Sequence, residues 1–131
     1  MAKEQPGHGD PPIIRWRNKV APHDFEAAFR YLSLRVNDKQ ARALVDKLRK
    51  VPALETRRAN DILRACDRDA LPLEDPGVLR DLIKVARGET LSPVLVISYE
   101  ARAEIADGYH RVSLSYRLDP FGEVPLLIAD A

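Results

Sequence analysis

Glu104-Ile105-Ala106-Asp107-Gly108-Tyr109-His110-Arg111-Val112 is the stretch on which the fold turns. Where it begins, residues 102–106 (Arg-Ala-Glu-Ile-Ala) alternate polar and apolar, the period of a strand. From His110 to Leu118 the pattern turns helical, through Val112, Leu114 and Tyr116. Gly108 breaks the chain between the two. A strand entering a helix this way exposes first-turn N–H groups that have no intrahelical partner, and the dipole adds about half a positive charge there. An anion is favoured at that point, and a glycine lets its oxygens approach the backbone. His110 and Arg111 add directed donors, the arginine with a fork that suits phosphate. Gly108, Tyr109, His110 and Arg111 are therefore the expected phosphate-binding residues.

Working outward, Pro120-Phe121-Gly122 reads as a turn and Val124–Ile128 as a closing strand. Upstream, Pro93–Ser98 is a β-branched apolar run, the mark of a strand buried on both faces. Asp75-Pro76 predicts a helix start, an acidic N-cap with proline at N1, and Gly88 a stop. The buried stripe expected on that helix is Leu79, Leu82, Ile83 and Ala86. Leu54–Ala59 is extended in character, and Asn60-Asp61 is placed to cap a brief helix through Ile62, Leu63 and Cys66; residues 67–74 read as loop. The order from 54 onward is β-α-β-β-α-β with no internal repeat, an α+β class with a small mixed sheet and packed helices.

Ahead of this unit, Phe25, Phe29 and Leu32 fall at i, i+4 and i+7 in a helix over 24–35. Asn37, with Gln40 at the capping-box position, starts a second helix, with Ala41, Leu44, Val45 and Leu48 on one side and Val51-Pro52 ending it. The two form a helical hairpin or one bent helix. Ile13-Ile14-Arg15-Trp16-Arg17 either packs back on its own domain or serves as an arm for a partner. Residues 1–12, with three of the ten prolines and two of the six glycines, are too polar to order themselves. The expected organisation is a disordered tail (1–12), an N-terminal helical extension (13–53) and an α/β domain (54–131).

Composition narrows the function classes. With 131 residues, 45% hydrophobic and 31% charged, the chain is an ordinary globular protein, and its net charge of +1 gives no broad polyanion-binding field. Nucleic acid would need a local basic patch. One cysteine, Cys66, rules out a disulfide framework and suits a reducing compartment. The N-terminus has no signal-peptide character and no apolar run approaches the roughly 20 residues of a membrane span. The expectation is a cytoplasmic protein with no membrane partner.

The Glu104–Val112 stretch, followed by Glu123-Val124-Pro125-Leu126-Leu127-Ile128, resembles the core of ParB N-terminal domains and sulfiredoxins, as in a small bacterial branch of ParB-like proteins. Asp75-Pro76-Gly77-Val78-Leu79 and Ser92-Pro93-Val94-Leu95-Val96-Ile97 stand in the family's order, so the resemblance covers roughly 54–130. It implies a ParB/sulfiredoxin-like fold whose strand–helix junction holds nucleotide phosphates, ATP in sulfiredoxins and CTP in ParB, with Mg²⁺. Gly108, His110 and Arg111 match by position. Tyr109 stands where sulfiredoxins carry the catalytic cysteine, which argues against sulfinic acid reduction. Val78 replaces a phosphate-binding lysine, and Asp81 and Val85 replace hydroxyl residues, so the triphosphate cradle is incomplete. No helix-turn-helix or dimerisation tail follows, so ParB's DNA role is not expected.

Within this frame Asp107 either caps the helix or acts as a base or cation ligand, and His110 is a phosphate donor, a general acid or a buried group. If the protein is an enzyme, nucleotide hydrolysis or phosphoryl transfer is the class implied, with Asp107 and His110 as catalytic candidates. Arg57 and Arg58, with Arg64 and Arg68 in the next turns, form a basic cluster, either a solvated face or a second phosphate contact replacing the lost lysine. His8 and His23 have no partners at zinc spacing, and no metal site is expected. Two rival readings stand beside nucleotide binding. One is a non-catalytic module that binds a protein through residues 13–50; the other is a DNA-binding or nuclease accessory protein.

Overall fold

A computed structural model describes residues 12–131, so the tail expected over 1–12 lies, but for Pro12, outside the described residues. The chain is α+β. Its elements run β1 (Arg15–Trp16), α1 (Pro22–Leu32), α2 (Asp38–Lys50), β2 (Glu55–Arg58), α3 (Ala59–Ala65), α4 (Pro76–Ala86), β3 (Thr90–Leu91), β4 (Val94–Ser98), β5 (Ala103–Asp107), α5 (Tyr109–Leu118) and β6 (Glu123–Asp130). The main sheet has the order β2-β6-β4-β5, with β6 and β4 parallel and both outer pairings antiparallel. Among the described residues no helix is long and apolar enough to cross a membrane.

Central β4 shows why an unbroken apolar run was needed. Successive side chains alternate faces: Leu95 and Ile97 enter one core with Phe25, Leu32, Leu44 and Leu48 of α1 and α2. Val94 and Val96 enter another with Ile62 and Leu63 of α3 and Val112 of α5. Burying each such side chain stabilises by roughly 1.5–3 kcal/mol. A third cluster joins Val78 and Val85 of α4 to Leu91 and Leu114. The helices of 22–50 thus cover one face of the sheet across β6, β4 and β5. The expected boundary at 53 marks a change of sequence pattern, and a single core crosses it.

Asn37 caps α2 as its spacing predicts, its Oδ1 accepting the Gln40 amide at 2.8 Å, and Ala41, Leu44, Val45 and Leu48 are the buried face. The 13–17 segment packs back on the protein: β1 lies parallel to β3, and Trp16 packs against the cores on the α3 and α4 side.

Two expectations are corrected. Asn60-Asp61 does not cap α3. Arg58 is the N-cap, and the Ala59 and Asn60 amides donate to the Gly122 and Pro120 carbonyls, both at 2.9 Å, so a distant turn supplies the acceptors. On α4 the buried positions are Gly77, Val78 and Val85, while Leu79 and Ile83 are each 44% exposed and Ala86 is exposed. Val78-Leu82-Val85 and Leu79-Ile83-Ala86 are two apolar stripes of equal helical quality. Contact with α5 and β3 chooses between them.

Candidate functional site

The turn from β5 into α5 is made by Gly108 in the left-handed region, φ +109°. A Cβ there would lie 2.9 Å from Val94 Cγ2 and 3.0 Å from Arg111 Nη2. The glycine is therefore demanded by the packed interior as well as by its φ, where the sequence suggested room for an approaching anion. No side chain caps α5, so no side-chain acceptor takes up its first-turn amides.

Asp107 is not the cap. Its Oδ2 accepts from Arg111 Nη2 at 3.0 Å, and the same nitrogen lies 3.3 Å from Asp24 Oδ2 and 3.3 Å from the Pro93 carbonyl. Arg111 therefore ties α5 to β5, to the start of α1 and to the loop before β4. Its side chain is 16% exposed, and its Nε is buried without a partner. The fork expected to hold phosphate is turned into the protein between two carboxylates. Burial pushes the Asp107 carboxyl above its usual range, Arg111 opposes this, and Asp24 adds to it. Asp81, on the inner side of α4, is also raised by burial against the field of Arg111, Lys84 and His110.

His110 faces the start of α4. Its Nε2 lies 3.4 Å from Asp75 Oδ2, and its ring rests on Gly77, where an added Cβ would fall 2.4 Å from His110 Cδ2. Half of the imidazole is exposed. Tyr109 donates its hydroxyl to the Asp69 carbonyl at 2.5 Å. Ser113 accepts from the Leu71 amide, and Arg117 donates to the carbonyls of Ala70 and Leu71. Three turns of α5 thereby pin the 67–74 loop and bring Arg68 over the Tyr109 ring, 5.6 Å from its centroid.

A cleft of about 240 Å³ runs from β5 to the α5 start, bounded by Tyr31 of α1 on one side and by Cys66 and Arg68 on the other. Gly108, Tyr109 and His110 close one end and Arg102 lies at the other. Arg57, Arg58 and Arg64 do not border it. Arg57 pairs with Glu55 at 2.6 Å, Arg58 stacks on Phe121 and Arg64 reaches Asp61 at 3.8 Å. The cleft arginines are Arg68 and Arg102, neither of which pairs with a carboxylate among the described residues. Arg68 belongs to the basic cluster read from the sequence and is the one member that borders the cleft; Arg102, at a strand start, gave no signal.

Glu104 was also missed. Its side chain is 6% exposed and binds Arg35 Nε at 3.0 Å, with the Tyr31 and Tyr99 hydroxyls donating at 2.5 and 3.1 Å. Both tyrosines are raised above their ordinary values, chiefly by burial. The carboxylate is thus fully engaged, and no free charge of Glu104 faces the cleft. Burial pushes the Cys66 thiol up to about 11, which leaves it protonated and a poor nucleophile at neutral pH. Among the described residues no three His, Cys, Asp or Glu side chains are grouped to hold a metal ion.

No family model, curated protein or solved structure matches this chain.

Proposed function

We propose that the chain binds a phosphate-bearing ligand at the start of α5, as a ParB/sulfiredoxin-like protein of a reducing cytoplasm. One observation carries the reading: the uncapped first turn of α5 opens on the same cleft as the guanidinium groups of Arg68 and Arg102, which pair with no carboxylate among the described residues. The amides supply short-range donors, and the arginines supply charge and fork geometry. Arg111 acts behind the site, holding the β5–α5 turn in shape.

The cleft is smaller than the roughly 300–1,000 Å³ of most small-molecule pockets. It suits the phosphate end of a nucleotide such as ATP or CTP, with base and sugar lying outside and Mg²⁺ carried in with the phosphates. Should phosphoryl transfer or hydrolysis occur, His110 is the titratable group with an exposed face at the seat. Asp107 is held by Arg111 and does not face the ligand as a free base.

Thermal unfolding with ATP, CTP, GTP and inorganic phosphate, each with and without Mg²⁺, tests this. A ligand at a hundredfold excess over its Kd stabilises by about 2.7 kcal/mol, and the Arg68→Ala/Arg102→Ala double variant should abolish the gain. If none of these ligands raises the melting temperature, the proposal fails. Retention on DNA that weakens steeply with salt would instead support the nucleic-acid reading.

A further inference from the structure

The two edges of the main sheet are β2 and β5, and they are built differently. All four residues of β2 are exposed, and Glu55, Arg57 and Arg58 present charge along it, the usual guard against pairing with another chain. Edge β5 carries two acidic side chains, but neither guards it. Glu104 is drawn inward to Arg35, Tyr31 and Tyr99, and Asp107 to Arg111. The cleft described above follows this edge, bordered by every residue from Arg102 to Gly108.

Its walls are helical, α1 on one face of the sheet and the end of α3 on the other. Midway along the strand the backbone of Ile105 faces the Cys66 sulfur, near enough to oppose the rise that burial gives the thiol. Sulfur is a weak acceptor, and a peptide carbonyl is a better partner for a backbone amide. Backbone groups on one side of a strand recur every second residue, which places Ala103 on the same open side. A strand of five residues spans roughly 17 Å. Cations stand at both ends, Arg102 where β5 begins and Arg68 beside Tyr109 where α5 begins.

From this geometry we infer that the β5 edge is a docking groove for an extended acidic peptide, which adds as a fifth strand parallel to β5 with its C-terminal carboxylate at the α5 start. Main-chain hydrogen bonds to the edge give the affinity, as in other strand-addition complexes. Acidic residues near the two ends of the added strand meet Arg102 and Arg68. The parallel direction follows from polarity: only a strand running with β5 brings its carboxylate, and not its N-terminus, to the α5 amides. The inference rests on the reading proposed above, sharing its anion seat and both cleft arginines, and the separate peptide and phosphate titrations tell the two apart.

The test is a backbone amide titration of the whole chain with an acetylated pentapeptide of alternating glutamate and valine ending in a free carboxylate. Its C-terminally amidated form, a lysine–valine counterpart and inorganic phosphate are run separately. The acidic peptide should shift the amides of Ala103, Ile105 and Gly108–His110 and slow hydrogen exchange at Ala103 and Ile105. Amidation, or Arg102→Glu, should weaken it by at least about tenfold, whereas Arg57→Glu on the opposite edge should leave it unchanged. Because Arg102 is exposed and pairs with no carboxylate among the described residues, its replacement leaves the fold intact, and the unshifted spectrum elsewhere verifies this. The inference is overturned if millimolar acidic peptide leaves β5 unperturbed, if the lysine peptide binds as well, or if the shifts map to β2. Phosphate shifts at Gly108–His110 without any peptide effect sink the groove and leave the anion seat. Peptide binding without any response to phosphate or nucleotide does the reverse.

Discussion

Helices α4 and α5 begin within reach of one another, and each is announced by an aspartate, Asp75 for one and Asp107 for the other. Asp75 turns back on its own helix, its Oδ2 accepting the Gly77 and Val78 amides at 2.9 and 3.1 Å. Asp107 leaves its helix start bare and binds Arg111, one turn further on. A helix cap contributes about 1 kcal/mol, whereas leaving one partner of a buried ion pair without the other costs about 3–5 kcal/mol. Asp75 is itself the N-cap residue, whereas Asp107 stands one position earlier, before Gly108, and there the ion pair wins. An aspartate before a helix is therefore a cap only where no stronger partner reaches it, and the loser of that competition here is an open helix start facing a cleft.

Arg111→Met should have the largest effect. It strands Asp24 and Asp107 in the interior, and equilibrium urea unfolding should show a loss of about 3–5 kcal/mol. A loss under about 1 kcal/mol would mean that the tie does not hold α1 to β5 and that the comparison of the two helix starts has another cause.

Next come the residues at the two starts themselves. Gly108→Ala must accept φ +109° and a methyl group against Val94, and should cost about 1–3 kcal/mol. Asp75→Ala removes a cap and should cost about 1 kcal/mol in the same assay. If the order is reversed, the α5 turn is looser than its packing implies.

The smallest effect is in the pH dependence. The Asp107 carboxyl is raised by burial, and a carboxyl with a raised value binds its proton more tightly in the folded protein. Its contribution favours folding in acid and is lost as pH climbs from the ordinary carboxyl value of 3.8 through the raised one. Asp81 behaves in the same sense. Stability measured across this range should flatten in Asp107→Asn. An unchanged profile would place the titration elsewhere.

Local patterns were legible wherever one interaction dominated. Asn37 had only Gln40 to cap, and the apolar run of β4 had no exposed alternative. Legibility failed where two local solutions were equally good. The stripes Val78-Leu82-Val85 and Leu79-Ile83-Ala86 differ only in what packs against them, and α3 takes its N-terminal acceptors from a turn some sixty residues away. The candidate site divides the same way. Gly108 and the helix start after it could be read directly, but the inward turn of Arg111 depends on Asp24, 87 residues earlier in the chain. The roles of Arg68 and Arg102 depend on where α5 pins the 67–74 loop.

The sequence alone determined the longer helices and the main-sheet strands of this α+β chain and the glycine junction of β5 with α5, because these follow from periodicity and from backbone sterics within a few residues; the short β1–β3 pair it did not show. Tertiary structure alone decided which charges stay free. A guanidinium or carboxylate takes whichever buried partner lies nearest in space, and that partner is set by packing rather than by sequence neighbourhood. Thus Arg111, the residue most suggestive of ligand binding, became an internal tie, while Arg68, one of a surface cluster of four, and the unremarked Arg102 were left facing the cleft.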